Sequence, residues 1–232
     1  MGEGEVTVAR DAVGATDAPY AFHLPGRAWY ARQPQDVARD LLGAHLTVGS
    51  ADGAVTVRIT EVEAYGGPDG SDLPDPGAHT WRGRTARNAS MFGPPGHVYV
   101  YFTYGMHWCA NLVTGVDGVA SGVLLRAGEV VDGVELARSR RTTSKSDKDL
   151  ASGPARLATA LGINGQHDGT SVDAADGHRM PGADVTLRVR DVRPGPISSG
   201  PRTGVSGDGG LATYPWRYWL TGDPTVSRYR TA

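Results

Sequence analysis

Glu61 and Glu63 lie two residues apart in the run Val55–Tyr65, where apolar and polar residues alternate as they do along a β-strand. Val55, Val57 and Ile59 define one face, and the same period brings Glu61, Glu63 and Tyr65 onto it. A carboxylate on a buried face is costly unless it is paired, hydrogen-bonded or put to use, and one so placed can act as a general base. The other reading is a strand end that emerges into solvent. Arg126 follows the apolar run Val123–Leu125. A buried arginine wants a carboxylate, and Glu61 or Glu63 is the natural candidate. Asn111 sits among Cys109, Leu112 and Val113, so its amide needs partners, either backbone groups or the edge of a ligand. Cys109 itself reads as an inert core thiol.

Two aromatic features stand beside these groups. Tyr104-Gly105 separates the strand-like runs Val98–Thr103 and Trp108–Thr114, which predicts a hairpin with a two-residue connection. Gly105 can take the positive φ such turns need. Tyr104 would then stand at the tip, either as a wedge between stacked bases or folded back onto its own hairpin. Tyr99 and Tyr101 alternate on one face, as core residues or as a stacking platform for a base. His79 follows a Gly/Pro/Asp-rich loop at 66–77 and precedes Arg82, Arg84 and Arg87. A lone histidine is more often a structural or solvated residue than a catalytic one.

The elements that must position these residues are short. A helix is expected over Pro34–Leu42, stopped by Gly43, and another from Pro154 to Leu161, stopped by Gly162. Strands are expected at Leu46–Val48, Val55–Tyr65, Val98–Thr103, Trp108–Thr114, Val123–Ala127, Val185–Val192 and Trp216–Leu220. Arg193–Tyr214 reads as irregular, and the charged stretch 137–149 as a flexible, solvated loop. One domain over 24–228 with a polar tail at 1–23 accounts for the hydrophobic pattern.

Composition sets the limits. The 232 residues include 33 Gly and 15 Pro, which marks a turn-rich globular chain. The net charge of −2 does not advertise a nucleic-acid binder, but residues 76–116 contain no Asp or Glu and carry three arginines, so that window is +3 and the remainder −5. One cysteine excludes an internal disulfide framework and points to the cytoplasm. No apolar run is long enough for a membrane span. There is no Walker loop, no G-x-S-x-G elbow and no Rossmann pattern. Cys-rich metal sites are likewise absent, and neither a metal nor a cofactor is expected.

Read together, the segments TEVEAY (60–65), GAHT (77–80), RNASMFGPP (87–95), VYVYFTYG (98–105), Asn111, GVLLRA (122–127), SGPARL (152–157), PRTGVS (201–206) and PWRYWL (215–220) resemble the alkyladenine (3-methyladenine) DNA glycosylases, in a bacterial-type form. Order and approximate spacing both fit, from about Leu24 to Ser227. The resemblance implies a mixed α/β (α+β) fold: a single compact domain with a curved antiparallel sheet flanked by helices, a base-flipping pocket and a protruding β-hairpin. It implies a DNA repair enzyme that flips a damaged purine out of duplex DNA and hydrolyses its N-glycosidic bond, leaving an abasic site. The substrates so implied are of the 3-methyladenine, 7-methylguanine, hypoxanthine or ethenoadenine type.

Carried over by position, Glu63 is the base that activates water and Arg126 an active-site arginine near that water. Tyr65, His79 and Tyr101 form the walls around the base, and Asn111 disfavours the exocyclic amine of guanine. Thr203 falls where a backbone carbonyl helps position the water, and Tyr104 is the intercalating residue. Arg84, Arg87 and His107 are candidate contacts to the DNA backbone, although His107 stands where animal members can carry Tyr. The resemblance also suggests a monomer. No lysine neighbours Glu63, so a monofunctional enzyme is expected. Two other readings start from the same residues: a catalytically weak damaged-DNA-binding protein of this fold, and a glycosylase dedicated to bulky natural-product adducts. A hydrolase of free nucleosides or modified RNA is a further class, which the Tyr104 hairpin disfavours.

Overall fold

A computed structural model describes residues 21–173, 176, 180, 182–192 and 194–232. Ten strands form one antiparallel sheet: β1 (Phe22–His23), β2 (His45–Ser50), β3 (Gly53–Tyr65), β4 (Val98–Thr103), β5 (His107–Val113), β6 (Gly122–Asp132), β7 (Ala151–Ser152), β8 (Asp184–Arg190), β9 (Ile197–Gly200) and β10 (Arg217–Leu220). Four helices accompany it: α1 (Arg27–Tyr30), α2 (Pro34–Leu41), α3 (Val134–Arg140) and α4 (Pro154–Leu161). The main path runs β1-β8-β2-β3-β6-β5-β4. The expected mixed α/β domain with an antiparallel sheet is therefore what forms.

β3 organises the sheet. Its first half pairs with β2, its second half with β10, and β6 follows its other edge along nearly its whole length. The core lies between the sheet and the helices: Val37, Ala38 and Leu41 of α2 and Leu157, Ala158 and Leu161 of α4 share one apolar cluster with Val62, Ala64, Val100, Leu112 and Leu125. Both helices begin with proline in the first turn, where the missing N–H costs nothing, and α4 ends on Gly162 at φ 78°.

The decisive local feature is a pair of bulges. Between Ile59 and Glu61 on β3 the partner strand advances only from Gly128 to Ala127, and between Glu61 and Val62 it advances from Ala127 to Leu125. β3 thus carries an extra residue at Thr60 and β6 an extra one at Arg126. An inserted residue reverses which side chains face the core. Val55, Val57 and Ile59 face the apolar cluster, but after the bulge Val62 and Ala64 do. The single period expected through Val55–Tyr65 is therefore broken: Glu61 and Glu63 lie opposite the core face, and they are fully buried there rather than emerging into solvent.

Other expectations needed correction. Only Ala21–His23 of the 1–23 tail falls among the described residues, and Phe22–His23 pairs with β8 instead of trailing free. The start of the charged 137–149 stretch is helical, because α3 buries Ala137 completely while Arg138 reaches Asp147 with two guanidinium nitrogens. The irregular 193–214 stretch contains β9, whose Ile197–Gly200 backbone finds a ladder on β10. The connection between β4 and β5 is three residues long, not two, because Thr103 pairs with His107.

Candidate active site

Beyond the bulge, alternate residues of four strands point away from the core into one cavity of about 860 Å³. β3 contributes Glu63 and Tyr65, β4 Tyr99 and Tyr101, β5 His107, Cys109 and Asn111, and β6 Leu124 and Arg126. Period-2 presentation explains how one sheet serves two purposes: Val62, Val100, Leu112 and Leu125 build the core while their neighbours line the site. Loops supply His79 and Thr203.

Glu63 is the best-held group in the cavity. Its Oε1 accepts the Thr203 N–H at 2.7 Å and lies 3.3 Å from Arg126 Nη1, and its Oε2 accepts the Tyr65 hydroxyl at 2.9 Å. Burial, then the Glu63 charge, pushes the Tyr65 hydroxyl well above the usual phenol range, so Tyr65 stays a donor. Arg126 bridges both carboxylates, since its Nε also donates to Glu61 Oε1 at 3.1 Å. Glu61 is shared in turn with Arg217, whose Nε donates at 2.6 Å, and with the Ser227 N–H at 2.6 Å. Two buried carboxylates are thus matched by two buried guanidinium groups, as their desolvation requires. The expectation that Arg126 would pair with Glu61 or Glu63 holds for both.

Aromatic rings form the opposite wall. Tyr99 and Tyr101 lie nearly parallel with centroids 5.7 Å apart, and His79 meets Tyr101 edge-on at 4.5 Å. His79 Nδ1 lies 3.3 Å from the Tyr99 hydroxyl. Partial burial against these rings, then the Arg87 charge, lowers the His79 basicity, although its outer edge remains in solvent. Asn111 Nδ2 donates to the Tyr99 carbonyl at 3.2 Å, so one of its two possible roles, fixing backbone, is realised. Cys109 is buried, but it faces the cavity rather than the apolar core, and burial raises its thiol above the ordinary range.

At the mouth stands the β4–β5 hairpin. Met106 N–H closes on the Thr103 carbonyl at 3.1 Å, with Tyr104 at φ 51° and Gly105 at φ 66°. Two positive φ values match the right-handed twist of the flanking strands. Among the described residues Tyr104 is the one non-glycine in this left-handed region, and it is 87% exposed. It projects from the tip and does not fold back. Nine of the eleven expected site residues line the cavity: Glu63, Tyr65, His79, Tyr101, Tyr104, His107, Asn111, Arg126 and Thr203. Arg84 and Arg87 do not. Both are exposed beside it, Arg84 over the Phe92 ring at 5.9 Å and Arg87 bonded to the Phe102 carbonyl at 3.1 Å.

The methylpurine-DNA glycosylase (MPG) family model matches residues 28–224. The chain belongs to this family. Among its relatives, a protein of Streptomyces avermitilis is 56% identical over 204 residues, 88% of this chain and 91% of that one. One from Nocardia farcinica is 50% identical over 198 residues, covering 85% of this chain and 87% of its own. One from Leifsonia xyli subsp. xyli is 50% identical over 210 residues, covering 89% and 92%. All three carry the name "Putative 3-methyladenine DNA glycosylase".

This glycosylase-family site also contains groups that residue types alone did not mark. Arg202 is almost fully buried, grips Asp75 with both terminal nitrogens at 2.6 and 2.7 Å, and lies 4.5 Å from the Tyr65 ring. It braces the loop whose next residue, Thr203, donates to Glu63. Its place beside Thr203 in the PRTGVS segment was the available signal; nothing distinguishes Asp75 from Asp69 and Asp72 in the same loop. Among the described residues, no group of three His, Cys, Asp or Glu side chains is placed to hold a metal, and no helix is long and apolar enough to cross a membrane.

Proposed function

We propose that this family member removes a damaged purine from double-stranded DNA as a monofunctional N-glycosyl hydrolase, with Glu63 activating the water. The observation that carries this reading is the setting of Glu63: a fully buried carboxylate, aligned by three donors, in the wall of a cavity with an exposed aromatic at its mouth. A base inside a duplex cannot be reached, so the enzyme must extrude it at a cost of a few kcal/mol, least for a damaged or mispaired base. Tyr104 fills the gap left in the stack. The extruded purine enters between Tyr65, His79 and Tyr101, and Asn111 meets its edge. Glycosidic cleavage develops cationic character at the sugar, which a nearby carboxylate stabilises while it takes a proton from water. Thr203 and Arg126 hold that carboxylate in place.

The chain's two lysines, Lys145 and Lys148, both lie outside the cavity lining, so no lysine amine is at hand to attack the sugar. The product is then an intact strand with an abasic site. Cationic bases such as 3-methyladenine leave readily, whereas neutral hypoxanthine needs protonation, so its excision falls as pH rises.

The test uses end-labelled duplexes carrying hypoxanthine or an alkylated purine. Strand breakage that appears only after alkali, with no adduct trapped by borohydride, supports the proposal. A trapped covalent adduct contradicts the monofunctional assignment. Tight binding without breakage on every lesion would instead indicate a damage-binding protein or a bulkier adduct as substrate.

A further inference from the structure

The mouth of the cavity carries two cations that the reaction at Glu63 does not use. Arg228 and Arg230 both line it and are exposed, and among the described residues neither takes part in an ion pair. Their neighbours differ: Arg156 on the same rim is paired with Asp149, and Arg126 and Arg217 are committed to the buried glutamates. Arginines with no ion partner among the described residues, at the opening of the cavity that holds Glu63, call for an anionic ligand.

The backbone that presents them is anchored rather than loose. Ser227 N–H donates to Glu61 at 2.6 Å, Arg217 Nη2 donates to the Ser227 carbonyl at 3.1 Å, and the Arg217 guanidinium lies 5.6 Å from the Tyr229 ring. Further along, the Gly204 N–H donates to the Arg230 carbonyl at 3.0 Å, tying this segment to the loop that aligns Glu63. Ser227 itself lines the cavity, where its hydroxyl accepts Arg126 Nη2 at 3.4 Å, so Arg228 and Arg230 enter the lining from a segment fixed to the buried ion pairs. Binding an anion here orders two side chains and no main chain, which keeps the entropic cost low. Tyr104 and His107 line the same cavity.

We propose that Arg228 and Arg230 bind the two phosphodiesters flanking the extruded nucleotide. The proposal rests on the DNA-glycosylase reading above. Extrusion carries the backbone of one nucleotide, with a phosphate on either side, to the mouth. Guanidinium groups at the rim can pair with those phosphates and hold the swung-out nucleotide there.

The test compares wild type, R228A/R230A and R228K/R230K on a short duplex with one hypoxanthine, measuring Kd against salt. Each lost phosphate contact flattens the log–log slope by about 0.9, so the alanine variant should be shallower by about 1.8 and the lysine variant close to wild type. A second duplex carries neutral methylphosphonates at the two flanking linkages. On it, wild type should lose the same slope, and its advantage over R228A/R230A should vanish. The wild-type arm stands even if a variant folds poorly. An unchanged slope in R228A/R230A, or an advantage that persists on the neutral duplex, overturns the proposal. Excision by wild type is scored in the same samples. Excision with an unchanged slope defeats only the phosphate assignment, and the expected slopes without excision defeat only the glycosylase reading.

Discussion

Each buried charged side chain around Glu63 is matched by a partner, and the matching is tight enough to be tested one group at a time. Asp75 and Arg202 are the most isolated pair: both are buried and they meet in a two-pronged contact beneath Tyr65. Breaking a buried pair leaves an uncompensated charge, at a cost of about 3–5 kcal/mol. Asp75→Asn should therefore lower the unfolding free energy by about that amount, read from urea midpoints at constant slope. A change below about 1 kcal/mol would show that the remaining Arg202 contacts, to the Ala64 and Gly209 carbonyls, suffice. Glu63, Arg126 and Asn111 were legible in the sequence because a polar group inside an apolar strand demands an explanation, and Tyr65 through the resemblance. Asp75 was not, because a loop aspartate is unremarkable until its partner is known.

The hairpin and the bulged strand present most of the candidate site at the level of elements. Tyr104 sits at φ 51°, a region that costs a non-glycine residue about 1 kcal/mol. Such strain at an exposed aromatic points to use rather than packing. Tyr104→Gly should consequently raise the unfolding free energy by up to about 1 kcal/mol while shortening residence on a lesion duplex. Chemical denaturation and the dissociation rate check the two halves separately. Residence equal to wild type would remove the wedge role.

Strand existence was plain in the alternation of Val55–Tyr65 and in the apolar run Val98–Thr103, and α4 in its Pro and Gly ends. The bulge was not visible. One extra residue at Thr60 reverses the facing of everything after it, yet TEVEAY reads as smoothly alternating with or without it. α3 was hidden because three of its seven residues are charged and Ala137 alone is buried.

For the whole molecule, three histidines contribute to the response to mild acid. His45, His79 and His167 are each held below the ordinary imidazole value, chiefly by burial, with Arg190 adding to the effect on His45 and Arg87 to that on His79. The native state therefore binds fewer protons than the unfolded chain as pH falls through about 6.5. Stability is lost in that direction. The urea midpoint at pH 5.5 should lie below that at pH 7.5, and the difference should shrink in a variant with all three changed to Gln. An equal or higher midpoint at pH 5.5 would contradict the sign. Single-domain organisation followed from hydrophobic pattern, and the antiparallel sheet was what the resemblance implied; the pairing of β10 with β3, which brings Arg217 to Glu61, depends on contacts 156 residues apart that no local pattern records.

The most direct test of the central claim compares wild type with Glu63→Gln in single-turnover reactions on a labelled hypoxanthine duplex, with Kd measured on the same duplex. The substitution keeps the shape and an acceptor oxygen for the Thr203 N–H but removes the base. Excision should fall by about 10²–10⁴-fold, the usual contribution of a positioned general base, while Kd stays within about threefold of wild type. Equal losses of rate and affinity, or a rate close to wild type, would show that Glu63 is a structural carboxylate and not the group that activates water.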